Sequence, residues 1–187
     1  MTAALTVVGD DILTEEAARA GVRRRVRRSL TQTAGQLLLH PIWVARVEVI
    51  ADRPPFAPLV RRRLVFVDGV SEYRGLLEAV PPVRQVAVQE EAWGSHAGRA
   101  GEYRARMDGE LVAVHRTVVD RDRAVELVQD VQVRQINRSY ALRKPRHRIL
   151  DVVIQHLPLW RFQTRTGHVA TVNAVTGADE SYLASRW

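Results

Sequence analysis

The sequence predicts an α+β protein made of two pseudo-repeats, each a helix packed on a curled antiparallel sheet, with the two sheets either separate or merged. Three observations carry this. An apolar stripe of helical period begins near Ile12, strand-period segments follow Pro41, and short motifs of the first half recur in the second in the same order. The composition permits it. Of 187 residues, 46% are hydrophobic and 26% charged, with no cysteine, which is a globular profile rather than a disordered, collagenous or disulfide-stapled one. A chain of this length buries roughly 70% of its unfolded surface, enough for one sizeable core or two small ones.

The first helix is expected from about Ile12 to Leu39. Glu15 and Glu16 fall in its first turn, where carboxylates oppose the helix dipole. Ala18, Val22, Val26, Leu30, Ala34 and Leu37 or Leu38 then recur at three- and four-residue steps. Arg23, Arg24, Arg27 and Arg28 fall on the opposite face. After Pro41 the period changes: Ile42, Val44, Val47 and Val49 with Trp43 read as a strand. The segment Arg53-Pro54-Pro55-Phe56-Ala57-Pro58 interrupts the ladder, because three of its six residues lack an N–H. A second strand runs from Arg63 to Asp68, and Asp68-Gly69 is a turn.

The middle reads as strands near 84–90, 103–107 and 111–118, with Met107-Asp108-Gly109-Glu110 as a tight hairpin and 94–101 as a glycine-rich loop. Asp120 is placed to cap a second helix from about Arg121 to Tyr140. Pro145 ends it within the basic run Arg143 to Arg148, and the remaining apolar segments, 149–164 and 168–175, read as strands.

The halves then align. Pro41-Ile42-Trp43 meets Pro158-Leu159-Trp160 at an offset of 117, and Val67-Asp68-Gly69-Val70-Ser71 meets Val172-Asn173-Ala174-Val175-Thr176 at an offset of 105. Residues 12–15 and 17 meet 119–122 and 124 at an offset of 107. This ordering predicts an internal duplication, with 1–11 as an N-terminal extension, 12–117 as a first repeat with extra strands, and 118–187 as a second. Trp43 and Trp160 are then structural aromatics in equivalent places, each under the helix of its own repeat: Val22, Val26 and Leu30 near Trp43, and the Leu127–Val131 stripe near Trp160.

This layout resembles the PepSY and cystatin-like α+β modules, over residues 12–79 and 118–187. The resemblance implies a binding, inhibitory or adaptor module with no shared catalytic residues to carry over.

Charge restricts the partners. Lysine and arginine together number 28 against 21 acidic residues, for a net charge of +7, and Lys144 is the only lysine. A charge of this size draws anionic partners. A GC-rich genome also writes arginine for lysine, so the excess does not by itself select nucleic acid. The candidate binding residues are three strips: Arg23, Arg24, Arg27 and Arg28; Arg61, Arg62 and Arg63; and Arg143, Arg146 and Arg148. The aromatic side chains that stack single-stranded bases are missing beside them.

The six histidines show no i, i+4 pair, so no local metal motif exists, and His40 and His156 read as hydrogen-bonded histidines at strand starts. No phosphate loop, dinucleotide fingerprint or nucleophile elbow occurs, so no catalytic residue, metal or cofactor is assigned. The expectation is a non-catalytic binding or accessory protein that captures an acidic peptide or protein partner on open sheet edges or in the groove between the halves. Nucleic-acid binding through the arginine strips is the alternative. A small enzyme with a pocket in a cystatin-like cone is the third. The start of the chain lacks the pattern of a signal peptide, no 18 apolar residues run together, and the cytoplasm is the expected compartment.

Overall fold

The computed structural model describes residues 2–25, 30–79, 81–91, 101–140 and 143–187, the side chains of 23–25 excepted. In chain order the elements are β1 (Thr2–Val8), α1 (Glu15–Arg25), β2 (Gln36–Arg53), β3 (Phe56–Asp68), β4 (Arg74–Leu77), β5 (Val83–Glu90), β6 (Glu102–Met107), β7 (Glu110–His115), α2 (Arg121–Arg134), β8 (Arg146–Gln163), β9 (Val169–Asn173) and α3 (Ser181–Ala184). A 3-10 turn, Ile136–Ser139, follows α2. The nine strands among the described residues belong to one mixed sheet in the order β4-β3-β2-β7-β6-β5-β1-β8-β9. Two compact units divide the chain. The first comprises Met1–Pro41, Pro81–Arg116 and Gln155–Trp187, the second Ile42–Val80 and Thr117–Ile154.

In the first unit, β1 runs antiparallel to β5 from Thr2↔Gln89 to Val8↔Val83. β5, β6 and β7 form an antiparallel meander. Its β6–β7 turn has Asp108 at φ 53° and Gly109 at φ 86°, the left-handed pair that a two-residue hairpin requires. Thr14 stands just ahead of α1, its Oγ1 accepting from Ala17 N at 3.3 Å, and the helix buries Ala18 and Val22. Those two residues share a core with Leu30, Trp160, Phe162 and Val172.

In the second unit, β2 and β3 form a long hairpin, paired from Ile42↔Asp68 to Arg53↔Phe56, and β4 adds to β3 from Leu64↔Leu77 to Val67↔Arg74. α2 is capped by Asp120, whose side chain accepts from Arg123 N at 2.8 Å. Its buried face, Ala124, Leu127, Val128 and Val131, packs with Trp43, Val65 and Val67.

The predicted fold class is therefore overturned. The strands form a single mixed sheet rather than two helix-on-sheet repeats. Each tryptophan also packs with the other half's helix: Trp43 shares a core with α2, and Trp160 with α1. Val26, expected beside Trp43, lies outside the described residues. The reason is physical: periodicity specifies which face of a helix is apolar, not which sheet it covers. Here two hairpins offer matched apolar faces, so the local pattern leaves the partner open. The helix expected to reach Leu39 is also corrected. α1 ends at Arg25, and Leu37, Leu38 and Leu39 are strand residues buried to 5% exposure or less, with Leu38↔Ala113 and Leu39↔Val114 paired in parallel to β7. A strand covered on both sides reads as a continuous apolar run, which three leucines in a row also offer to a helix.

The local motifs nonetheless repeat in detail. Trp43 pairs with Val67 and Trp160 with Val172, the register that the two offsets require. The indole N–H of Trp43 donates to Val119 O at 2.8 Å and that of Trp160 to Leu13 O at 2.7 Å, each just ahead of a helix. Asp68 Oδ1 accepts from Val70 N and Ser71 N, as Asn173 Oδ1 does from Val175 N and Thr176 N.

Candidate functional site

β3 is thirteen residues long, yet β4 covers only Leu64 to Val67. Among the described residues, the stretch from Phe56 to Arg63 has β2 as its sole strand partner and leaves its other edge open. At about 3.4 Å per residue those eight positions span roughly 27 Å. Phe56 is 73% exposed and Val60 53%, unusual values for large apolar side chains in a strand. Side chains alternate along β3, and Leu59, Arg61 and Arg63 line a hollow of about 580 Å³ with Leu76, Ile136 and Tyr140. A second hollow, of about 560 Å³, lies between Arg53, Pro54 and Arg143 and shares Leu59, Ser139 and Tyr140 with the first.

The charge of this region is one-sided. Arg62 reaches Glu48 at 3.6 Å, and Asp52, in the second hollow, pairs with Arg146 at 3.2 Å. Arg61, Arg63 and Arg143 have no carboxylate partner among the described residues, and Glu78 is the single acid of the first hollow. An open strand edge with unpaired N–H and C=O groups accepts an extended chain, and unpaired guanidinium groups beside it favour carboxylates on that chain.

The structure thus brings together part of the arginine set that the sequence singles out. Arg61 and Arg63 share one hollow, and Arg143 lines the adjoining one. Arg146 is tied to Asp52, and Arg148 is an exposed residue of β8. Arg27 and Arg28 lie outside the described residues, as do the side chains of Arg23 and Arg24. Trp43 and Trp160 are each 9% exposed. The outer edge of β9, by contrast, is covered by its own chain: Ala178 O accepts from Asn173 N, Glu180 N donates to Thr171 O, and Ser181 Oγ accepts from Thr171 N.

The first unit holds a buried polar cluster that sequence spacing does not reveal. His40 Nδ1 lies 2.7 Å from His115 Nδ1, and His115 Nε2 lies 2.8 Å from Glu102 Oε1. Arg161 grips Glu102 with both terminal nitrogens, at 2.6 and 2.8 Å, and donates to Gln36 Oε1 at 2.6 Å. Burial alone would raise the Glu102 carboxyl. The hydrogen bonds from His115 and Arg161, with the Arg161 charge, hold it instead at about 2. Trp187 stacks on His40 at 4.1 Å between centroids and meets His115 edge-on at 4.9 Å. The members come from β2, β6, β7, β8 and the end of the chain, so no linear motif could have exposed them. The one signal was His40 closing a run of buried leucines.

Comparison with known proteins adds no assignment: no family model, curated protein or solved structure matches this chain. Among the described residues, no three His, Asp or Glu side chains converge as a metal ion would need, and no helix is long and apolar enough to cross a membrane.

Proposed function

We propose that this protein is a non-catalytic binding module that captures an extended acidic peptide, free or as a segment of a partner protein, as an added strand on the open edge of β3. The supporting observation is the run from Phe56 to Arg63, which has no strand on its outer edge among the described residues, carries Arg61 and Arg63 and lines a hollow that Arg143 also lines. Main-chain hydrogen bonds supply affinity in this mode, and alternate side chains supply selectivity. Leu59 and Tyr140 offer an apolar seat where the two hollows adjoin, and the arginines meet carboxylates along the strand. We place the protein in the cytoplasm, a reading that rests on its cysteine-free composition.

An eight-residue peptide of alternating glutamate and valine is the probe. Calorimetric titration should show binding that the double variant Arg61→Glu, Arg63→Glu weakens at least ~10-fold, about 1.4 kcal/mol. Both side chains are exposed, so the variant should keep the parent's melting temperature. Hydrogen exchange should slow in 56–63 on binding. Equal affinity in the variant, protection appearing elsewhere, or a duplex oligonucleotide binding at ~50 mM salt where the peptide does not would overturn the proposal.

A further inference from the structure

The 2.7 Å contact between His40 Nδ1 and His115 Nδ1 joins two atoms of the same kind, in rings that are 0% and 7% exposed. An imidazole nitrogen donates with a proton and accepts without one. A contact this short therefore needs a single proton between the atoms. With none, two lone pairs face each other. With two, N–H meets N–H at a distance that leaves no room for both.

The neighbours set where that proton sits. Glu102, ionised and gripped by Arg161, can only accept, so His115 Nε2 carries an N–H. In a neutral His115 the Nδ1 is then a lone pair, and His40 Nδ1 donates to it. The groups facing the pair are Glu102 on β6, Gln36 on β2, Arg161 and His156 on β8, and Trp187 beyond α3. His156 is held below the ordinary histidine value by burial, against a raising bond to the Thr6 backbone, and the His40 charge lowers it further. Its Nδ1 has no hydrogen-bond partner among the described residues. Among these groups, Glu102 is a carboxylate already paired with arginine, and His156 is a second histidine that resists a nearby cation.

Trp187 lies against this pair. Its indole lies against both rings and packs on Leu38, Ala113 and Leu159. Trp187 also lines a cavity of about 700 Å³ with Arg161, His168, Thr171 and Ser181, and α3, which leads to it, is four residues long. We propose that the His40–His115 pair is a proton-operated latch, which holds Trp187 at the cavity wall while one proton is shared and releases it when acidification adds a second proton between the rings. The linkage has a definite sign. The docked state excludes a proton that separated histidines accept, so falling pH favours the undocked state.

The test uses the full chain and nitrogen-15 NMR of the histidine rings from pH ~8 to ~4, the range in which histidines ordinarily titrate. Above the transition His115 should show an Nε2–H, with one proton shared between the two Nδ1 atoms. Below it, both Nδ1 atoms should be protonated, and the Trp187 indole proton should shift with the same midpoint while amides of β5 and β6 stay protected. His40→Phe keeps a ring for Trp187 to stack on but cannot titrate, and should abolish the Trp187 transition. A Trp187 resonance that stays fixed as both histidines titrate would overturn the latch. So would the same transition in His40→Phe, or loss of β5 and β6 protection at the same pH. Should His40→Phe fail to fold, the parent protein's own titration still decides.

Discussion

The matched tryptophans give the sharpest test of the packing. Trp43→Phe and Trp160→Phe each keep a ring in the core but delete the indole N–H, leaving Val119 O and Leu13 O without that donor. A carbonyl deprived of its partner in a buried setting costs about 1–3 kcal/mol. Shrinking the bicyclic ring removes packed carbon worth roughly 1–2 kcal/mol more. Each variant should therefore lose about 2–5 kcal/mol, and the two losses should agree within ~1 kcal/mol because both residues are 9% exposed with equivalent bonds. Urea titration followed by far-UV circular dichroism reads this directly: with a slope of ~2 kcal/mol per molar, the midpoints should fall by about 1–2.5 M. A variant that unfolds with the parent's midpoint would show that its indole bond and packing contribute nothing. A large loss at one tryptophan with none at the other would refute the equivalence of the two sites.

Four further outcomes can be measured in the same way. Asp120→Ala removes the acceptor for Arg123 N and should cost about 1 kcal/mol, with the loss of helicity confined to α2. Asp68→Asn should be tolerated better than Asp68→Ala by about 1 kcal/mol, since Asn173 makes the same two backbone bonds in the matching turn. Glu72 sits at φ 59° where the matching position is Gly177 at φ 69°. Glu72→Gly should relieve about 1 kcal/mol of backbone strain while losing an exposed ion pair with Arg123 worth less, leaving stability unchanged or slightly raised. Glu102 is held at about 2 against an ordinary 4.5, so its contribution is complete above pH 4.5 and disappears as pH falls toward 2. Glu102→Gln should flatten that part of the pH–stability curve and cost about 3–5 kcal/mol near neutrality by leaving Arg161 buried without its carboxylate.

Much of the local structure was legible in the residues. Asp120 announced the start of α2, Met107-Asp108-Gly109-Glu110 the β6–β7 turn, and the two Pro-x-Trp segments a strand each. These are short-range statements about caps, turns and β-branched runs, which the chain settles over a few residues. The pairing of helix with hairpin was not legible, because an apolar stripe such as Leu127–Val131 carries no address. Nor was the strand character of Leu37 to Leu39, where full burial erases alternation. Among the candidate residues, Arg61, Arg63 and Arg143 could be picked out as charge, but not as neighbours, since the turn after α2 brings Ser139 and Tyr140 between them. The His40–His115–Glu102–Arg161 cluster draws one member from each of four strands, so its spacing follows sheet order rather than sequence.

The crossing of helices between hairpins has a consequence for how the chain is made. Trp160 must wait for its own synthesis before it can bond Leu13, 147 residues earlier, and Trp43 bonds a carbonyl 76 residues later. During synthesis α1 emerges with an apolar face whose cover has not yet been built, and the β2–β3 hairpin emerges well before α2. Contacts of such sequence separation slow folding and leave sticky surface exposed meanwhile, a state in which chaperones are recruited. Cutting the chain between Val80 and Pro81 would accordingly yield two pieces, each with a helix whose hairpin is on the other, so that neither should fold until they are mixed.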